Sequence, residues 1–326
     1  MTHTKSKLDR KYGHIKSKID DKDPKVKFDL EHVKAFNAGV LPIKPIVFDL
    51  RKVIQSKAGS LLTTINSQLN ALTLIDQGML GSCTANAISF AYAIDEISQH
   101  NKETFLPSRL FIYYNERTME GTVDQDAGAQ IKDGISSLNL YGVCDEHYWI
   151  YDPVKFAVKP PTTAYTQAKK IGQVAYAAID FSADKTINDR VNHLKLALQS
   201  GFPVVFGFIV YDSFESDQVA ATGMVPVPTD FDNVMGGHAV CTIGFDDDKK
   251  CFIVKNSWGP NWGVNGYFYM PYQYIGDPNL VSDFWILKTV ANAEITGWTA
   301  ADIKPYATNL NVNPSDNGGV VNSFSN

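Results

Sequence analysis

Gln77-Gly78-Met79-Leu80-Gly81-Ser82-Cys83-Thr84-Ala85-Asn86-Ala87 is the stretch on which the reading of this chain turns. Two glycines and a serine make a tight approach, and Cys83 opens an apolar pattern running to about Gln99. Ala87, Ile88, Ala91, Ile94 and Ile97 recur at helical spacing, so a helix with one buried face is expected. A thiol at a helix start feels unpaired backbone N–H groups and the positive end of the helix dipole, and both favour thiolate. The side-chain amide of Gln77, with the Cys83 N–H, could then form a two-donor pocket for a developing oxyanion. Taken alone, the stretch leaves a second option equally open: Cys83 as a small hydrophobe packed inside a helix.

Two later segments bear on that choice. Met235-Gly236-Gly237-His238-Ala239-Val240 places a histidine after two glycines at the start of an apolar, strand-like run. Lys255-Asn256-Ser257-Trp258-Gly259-Pro260-Asn261-Trp262-Gly263 follows the next strand with an amide and two tryptophans. Together with Gln77 to Cys83, and with Gly266-Tyr267 following, these motifs resemble the papain family of cysteine proteases, and Met-Gly-Gly-His-Ala is most similar to the cathepsin B branch. The resemblance implies an α+β, papain-like two-lobed fold, a helical lobe and a β-barrel-like lobe with the active site in the cleft between them. It implies Cys83, His238 and Asn256 as catalytic residues, Gln77 and the Cys83 N–H as the oxyanion hole, and Trp258 as cover for the His–Asn contact. It implies a peptide or protein substrate and neither cofactor nor metal.

Composition sets outer limits. The 326 residues suffice for a two-lobed unit, and 44% hydrophobic with 20% charged residues is ordinary for a globular protein. A net charge of −5 does not suggest a nucleic-acid binder. That charge is uneven: residues 1–45 carry eleven Lys/Arg against six Asp/Glu, a basic leader suited to docking on an acidic body. Met1 to Lys18 has no apolar signal region, and no run is long enough to span a bilayer. The four cysteines, Cys83, Cys144, Cys241 and Cys251, leave an odd number beside a nucleophile and show no zinc-like spacing. Leu80 stands where secreted relatives carry a disulfide cysteine. A reducing intracellular compartment is expected, or a virion, because chains of this kind resemble bacterial and giant-virus branches of the family.

In chain order, residues 1–44 read as a leader with helical possibilities at Leu8 to Ile19 and Leu30 to Phe36, either a disordered arm or, by resemblance, a pro-segment lying along the cleft and restraining the enzyme. The peptidase domain is expected over residues 45–293, its helical lobe mainly 72–165 and its β-rich lobe mainly 166–293, with a polar tail at 294–326. Pro107 to Tyr114 suits a second buried helix with Ser108 on its cap side, and Ile131 to Tyr141 continues as another ending at Gly142. Strands are expected at Gly172–Ala178, Phe202–Tyr211, Ala239–Phe245 and Cys251–Asn256, then Phe268–Tyr274 and Phe284–Leu287, with a helix near Ile187–Leu198 and a solvated turn at Asp246–Lys250.

By resemblance, Ala127 and Gly128 stand where the family has a Gly-Gly turn binding extended substrate, although the local sequence reads equally as a bare turn. Gly207 and Ala239 are expected to help line the pocket for the penultimate acyl-side residue, where small side chains leave room for a bulky apolar or aromatic group, and Gly237 is a further expected substrate-binding residue. No His-His pair occurs in Cys144–Pro161, only His147, so endopeptidase rather than carboxydipeptidase action is expected. The usual Trp after the nucleophile is Thr84 here, which opens space beside the leaving-group side of the cleft. Two rival readings are a thiol acyltransferase and a catalytically idle papain-fold binding protein; a third role, tethering to nucleic acid or an acidic partner, would fall to the basic leader alone.

Overall fold

The computed structural model describes residues 11–28, 47–100, 104–171 and 174–289. The helix beginning at Cys83 spans Cys83–His100 and sits at the centre of the molecule. Counting from the first described residues, the short helices α1 (Leu50–Lys57) and α2 (Leu62–Ala71) precede it, and it is α3. Its core is not confined to one face: Ala85, Ile88, Phe90, Ala91, Tyr92, Ala93 and Ile94 point in all directions and all are buried. A helix apolar all round needs partners all round. It finds them in α4 (Arg109–Glu120) and α5 (Ile131–Tyr141) on one side and the sheet on the other. Asp95, buried on the sheet side, is satisfied by accepting from the N–H and hydroxyl of Thr289, at 2.7 and 2.8 Å.

Local chemistry sets the ends of these helices. Ser108 caps α4 by accepting from the Phe111 N–H, and Gly121 closes it in the left-handed region. α5 stops at Gly142, and α6 (Thr162–Ala168) completes the helical lobe. α7 (Ile187–Gln199) begins with a reciprocal Thr186–Asp189 capping box.

The second lobe is a sheet of order β2-β5-β10-β6-β7-β8-β9, with β3 (Val47–Asp49) pairing to β7. Its strands are β2 (Lys25–Val26), β5 (Val174–Ile179), β6 (Val204–Tyr211), β7 (Val234–Asp246), β8 (Cys251–Lys255), β9 (Tyr267–Pro271) and β10 (Val281–Thr289). The chain is therefore α+β and two-lobed. β7 starts four residues before His238, so that histidine lies inside a strand rather than at its start. The expected strand to Tyr274 ends at Pro271, where Tyr272–Ile275 forms one helical turn. The Asp246–Lys250 turn is held by Asp246, whose carboxylate accepts from the N–H groups of Asp248 and Lys249.

The leader departs most from expectation. Residues 11–19 of the Leu8–Ile19 segment are extended, not helical, and residues 11–28 are packed rather than a loose arm. His14–Ile15 (β1) pairs in parallel with Ala129–Gln130 (β4), and β2 joins the sheet edge in parallel with β5. Helix needs local partners, whereas an extended segment can take its backbone bonds from other elements, as Gly13 does from Ala129 and Pro24 from Ala178. The Leu30–Phe36 segment and the tail after residue 289 lie outside the described residues.

Candidate active site

The antiparallel register of β7 and β8 pairs Cys241 with Lys255. That pairing brings His238, three residues before Cys241, beside Asn256, one residue after Lys255. His238 Nε2 and Asn256 Oδ1 are 2.9 Å apart, both side chains fully buried. The Trp258 ring stacks on the imidazole at a centroid distance of 5.2 Å and an interplanar angle of 28°. Across the lobe boundary, Cys83 opens α3 and lies against the backbone of Ala239, the residue after His238. The structure thus gathers Cys83, His238, Asn256 and Trp258 in one place.

Gln77 joins them. Its backbone N–H donates to Ser257 O at 2.8 Å, and its side-chain Oε1 accepts from the Ser257 hydroxyl at 2.5 Å. This fixes the amide with Nε2 outward, donating to Leu80 O at 2.9 Å and to Lys11 O at 3.3 Å. Ser257 and Tyr151, whose hydroxyl donates to Gln77 O at 3.0 Å, are supporting residues that sequence reasoning missed. Ser257 sits next to Asn256 in the quoted motif, so its position was the available signal; Tyr151 gave none.

The leader lies over this site. The Tyr12 ring is edge-on to His238 at 6.0 Å, and its hydroxyl bonds the Glu215 carboxylate. Gly13 lies at Cys83, and its carbonyl accepts from the Ala129 N–H at 2.7 Å. Gly13 must be glycine, because a Cβ there would come within 1.8 Å of Gly81 O. Gly128, at φ +78°, meets the Gly13 carbonyl from the other side. The backbone contact therefore falls on Gly128 and Ala129, with Ala127 exposed beside them. Lys11 pairs with Asp126 at 2.6 Å, as the leader's charge suggested, although Asp23 also pairs with Lys132 at 2.5 Å.

With the leader seated, burial works against the expected thiolate. Burial pushes the Cys83 thiol up to about 11, only partly offset by backbone hydrogen bonds from Ala239 and Gly13. The helix terminus favours thiolate, but desolvation under the leader outweighs it.

The expected apolar pocket also differs. The His14 ring fills it, lying where a Cβ on Gly207 would be, 1.9 Å from its Cε1, and its carbonyl oxygen crowds Gly237. His14 Nε2 reaches the buried Asp283 Oδ2 at 3.0 Å. The floor is thus acidic, because a bulge between Ser282 and Trp285 turns Asp283 inward at φ +66°. Ala239 is buried beside Cys83 and presents backbone. Thr84 opens no space on the cleft: its side chain is buried in the helical lobe and donates to Glu116 at 2.8 Å. His147 is exposed and pairs with Asp145 at 3.0 Å. Cys83, Cys144, Cys241 and Cys251 are all free thiols. Among the described residues no His/Cys/Asp/Glu group could hold a metal, and no helix is long and apolar enough to cross a membrane.

The family model of papain family cysteine proteases matches residues 68–279, which include every motif residue above. The chain belongs to the papain family. It is 53% identical over 321 residues to an uncharacterized peptidase C1-like protein of Acanthamoeba polyphaga mimivirus, covering 98% of this chain and 99% of that one. Within the papain family it also resembles a cathepsin B-like protein of Giardia intestinalis, 36% identical over 100 residues, a match spanning 29% of each chain. Among solved structures it is similar to xylellain, a cysteine protease from Xylella fastidiosa, at 35% identity and a TM-score of 0.68, covering 86% of this chain and 98% of that one. A procathepsin B of Trypanosoma congolense, at 15% identity and a TM-score of 0.59, covers 88% of this chain and 87% of its own and shares the papain-like fold.

Proposed function

We propose that the protein is a cysteine endopeptidase made in a latent form, with residues 11–28 as its internal inhibitor. The observation that carries this reading is the His238–Asn256 pair, 2.9 Å apart under Trp258, set beside the first residue of α3. Asn256 holds Nε2 of the imidazole, so the proton exchanged with Cys83 is carried on Nδ1. Once the leader lifts, water and the protonated imidazole stabilise the thiolate that burial now opposes. The thiolate attacks the peptide carbonyl, and the oxyanion that forms accepts from Gln77 Nε2 and the Cys83 N–H. His238 gives its proton to the departing amine. Water, deprotonated by the same imidazole, then cleaves the thioester and restores the thiol.

Latency is supported by where the leader sits. Lys11 O occupies the Gln77 amide donor, Gly13 lies on Cys83 and Tyr12 borders His238, so no peptide can enter while the segment is seated. Endo- rather than carboxydipeptidase action is supported by His147, which is single and exposed in the segment that would carry an occluding pair. The free thiols support function in a reducing compartment. The test is a peptide-library digestion by chains with and without residues 1–28, with Cys83→Ala as control. Cleavage by the shortened chain alone, abolished in Cys83→Ala, is expected; equal cleavage by both lengths would reject latency, and cleavage surviving Cys83→Ala would reject the mechanism.

A further inference from the structure

The leader makes two different kinds of contact on either side of residues 18–22. Residues 11–17 are held by groups that face the cleft. Lys11 O accepts from the Gln77 amide, Gly13 O from the Ala129 N–H, and the Tyr12 hydroxyl bonds Glu215. Residues 23–28 are instead built into the body of the protein. The N–H groups of Ala178 and Asp180 donate to Pro24 O and Val26 O, each at 2.8 Å, so β2 continues the sheet beyond β5. Val26 and Phe28 are only 1% and 6% exposed. The Phe28 ring packs on Phe202 at a centroid distance of 5.5 Å, and its N–H donates to the buried His193 Nε2 of α7 at 2.9 Å. Taking this strand away would open core sites at Val26 and Phe28 and strip acceptors from the edge of β5.

Between the two stretches, Lys18, Ile19, Asp20, Asp21 and Lys22 are all exposed. Their turn is closed locally, the Asp20 N–H donating to Asp23 Oδ2 and the Lys22 N–H to Asp20 Oδ1, both at 2.7 Å. An exposed polar tip between two anchored stretches is where a second protease molecule can reach the chain. The chain's own thiol cannot, because Gly13 of the same segment lies on Cys83. We propose that residues 18–22 are a processing site cut in trans, dividing the leader into a removable plug before the cut and a permanent strand, residues 23–28, that stays in the sheet of the working enzyme. The inference rests on the latency reading and narrows it, since only the plug inhibits. The cut adds water across one peptide bond, hydroxyl to the acyl carbon and proton to the amine, and needs no other reactant. Before it, the plug is tethered at an effective concentration of about 1 mM; afterwards, at about 1 µM protein, its tendency to reseat falls about a thousandfold.

The test cuts the folded full-length chain at chosen places. Recognition sequences for two different site-specific proteases are inserted, one between Ile19 and Asp20 and one between Asn37 and Ala38. Uncut, this chain should protect Cys83 from alkylation as the native chain does; if the insertions themselves expose it, brief treatment of the native chain with a lysine-specific protease replaces the first cut. Cutting at the first site alone should release the fragment before it on gel filtration and speed Cys83 alkylation about tenfold to a thousandfold. Cutting at both sites should still release only that fragment, while the piece carrying Asp20 to Phe28 co-elutes with the body. Phe28→Ala in the doubly cut chain should let that piece go as well. A first site that resists the protease in the folded chain overturns the placement of the cut. Loss of both pieces together shows that the leader is one removable unit, and retention of both shows that the cut does not free the plug; either result overturns the proposal. Neither alkylation nor co-elution depends on turnover. Absence of peptide hydrolysis by the cut chain, with the plug gone and the strand retained, therefore overturns the peptidase reading and leaves the division of the leader standing.

Discussion

Gly13→Ala tests the latent state with one methyl group. The new Cβ would lie 1.8 Å from Gly81 O and 2.4 Å from Gly81 C, both backbone atoms that no rotamer change can move aside. Relieving such a contact by shifting the leader costs about 1–3 kcal/mol, which lowers the ratio of covered to uncovered chain roughly fivefold to 150-fold. The readout is alkylation of the Cys83 peptide by iodoacetamide near neutral pH, followed by mass spectrometry so that the other three thiols are scored separately. With the thiol at about 11 in the covered form, only about one molecule in 10⁴ is thiolate at pH 7, so nearly all reaction proceeds through the uncovered form. The variant should therefore react faster by the same factor of about five to 150, while Cys144, Cys241 and Cys251 stay slow. Unchanged Cys83 alkylation in a folded Gly13→Ala chain would refute the claim that the leader seated at Gly81 controls the nucleophile.

Other perturbations probe separate parts of the site. Gln77→Ala should lower kcat of the uncovered enzyme by about two to three orders of magnitude, and stopped assays showing kcat within threefold of wild type would remove Gln77 from the oxyanion hole. Ser257→Ala frees the Gln77 amide to rotate, so kcat should fall about tenfold with KM little changed, and Ser257→Thr should restore it; a KM effect alone would place Ser257 in substrate binding instead. Lys255 makes a pH prediction. Burial lowers its ammonium from 10.5 to about 7, so between those values the unfolded chain binds a proton that the folded chain does not. Its contribution to stability therefore rises with pH across that window and is least below about 7. Lys255→Met should flatten this part of the stability–pH curve in denaturant titrations, and parallel curves for the two chains would contradict the assignment.

The parts of this molecule that were legible in its sequence are those with a local physical cause. Cys83 follows two glycines and begins a run of helical period, so its place at a helix start could be read directly. His238 lies within β7 and Asn256 just after β8, two strands joined by a charged turn, and hairpin register brings them together without help from elsewhere. The burial of α3 on every side could not be read, because it depends on which elements arrive from distant parts of the chain. Asp283 was missed for a similar reason: alternation places it on one face of β10, and only a bulge opposite Phe206 turns it into the cleft. The leader's net positive charge was visible, but its path was not. Extended backbone has no period of its own, and Tyr12, Gly13 and His14 acquire meaning only against Glu215, Gly81 and Asp283.

The most direct measurement is the pH dependence of Cys83 alkylation in the Gly13→Ala chain, with and without His238→Ala. With His238 present, the thiol should react rapidly down to about pH 5, as a thiolate held by an imidazolium does, and His238→Ala should move the profile up toward an ordinary thiol near 8.5. Identical profiles for the two chains would show that His238 does not ionise Cys83, and the catalytic pair would not exist.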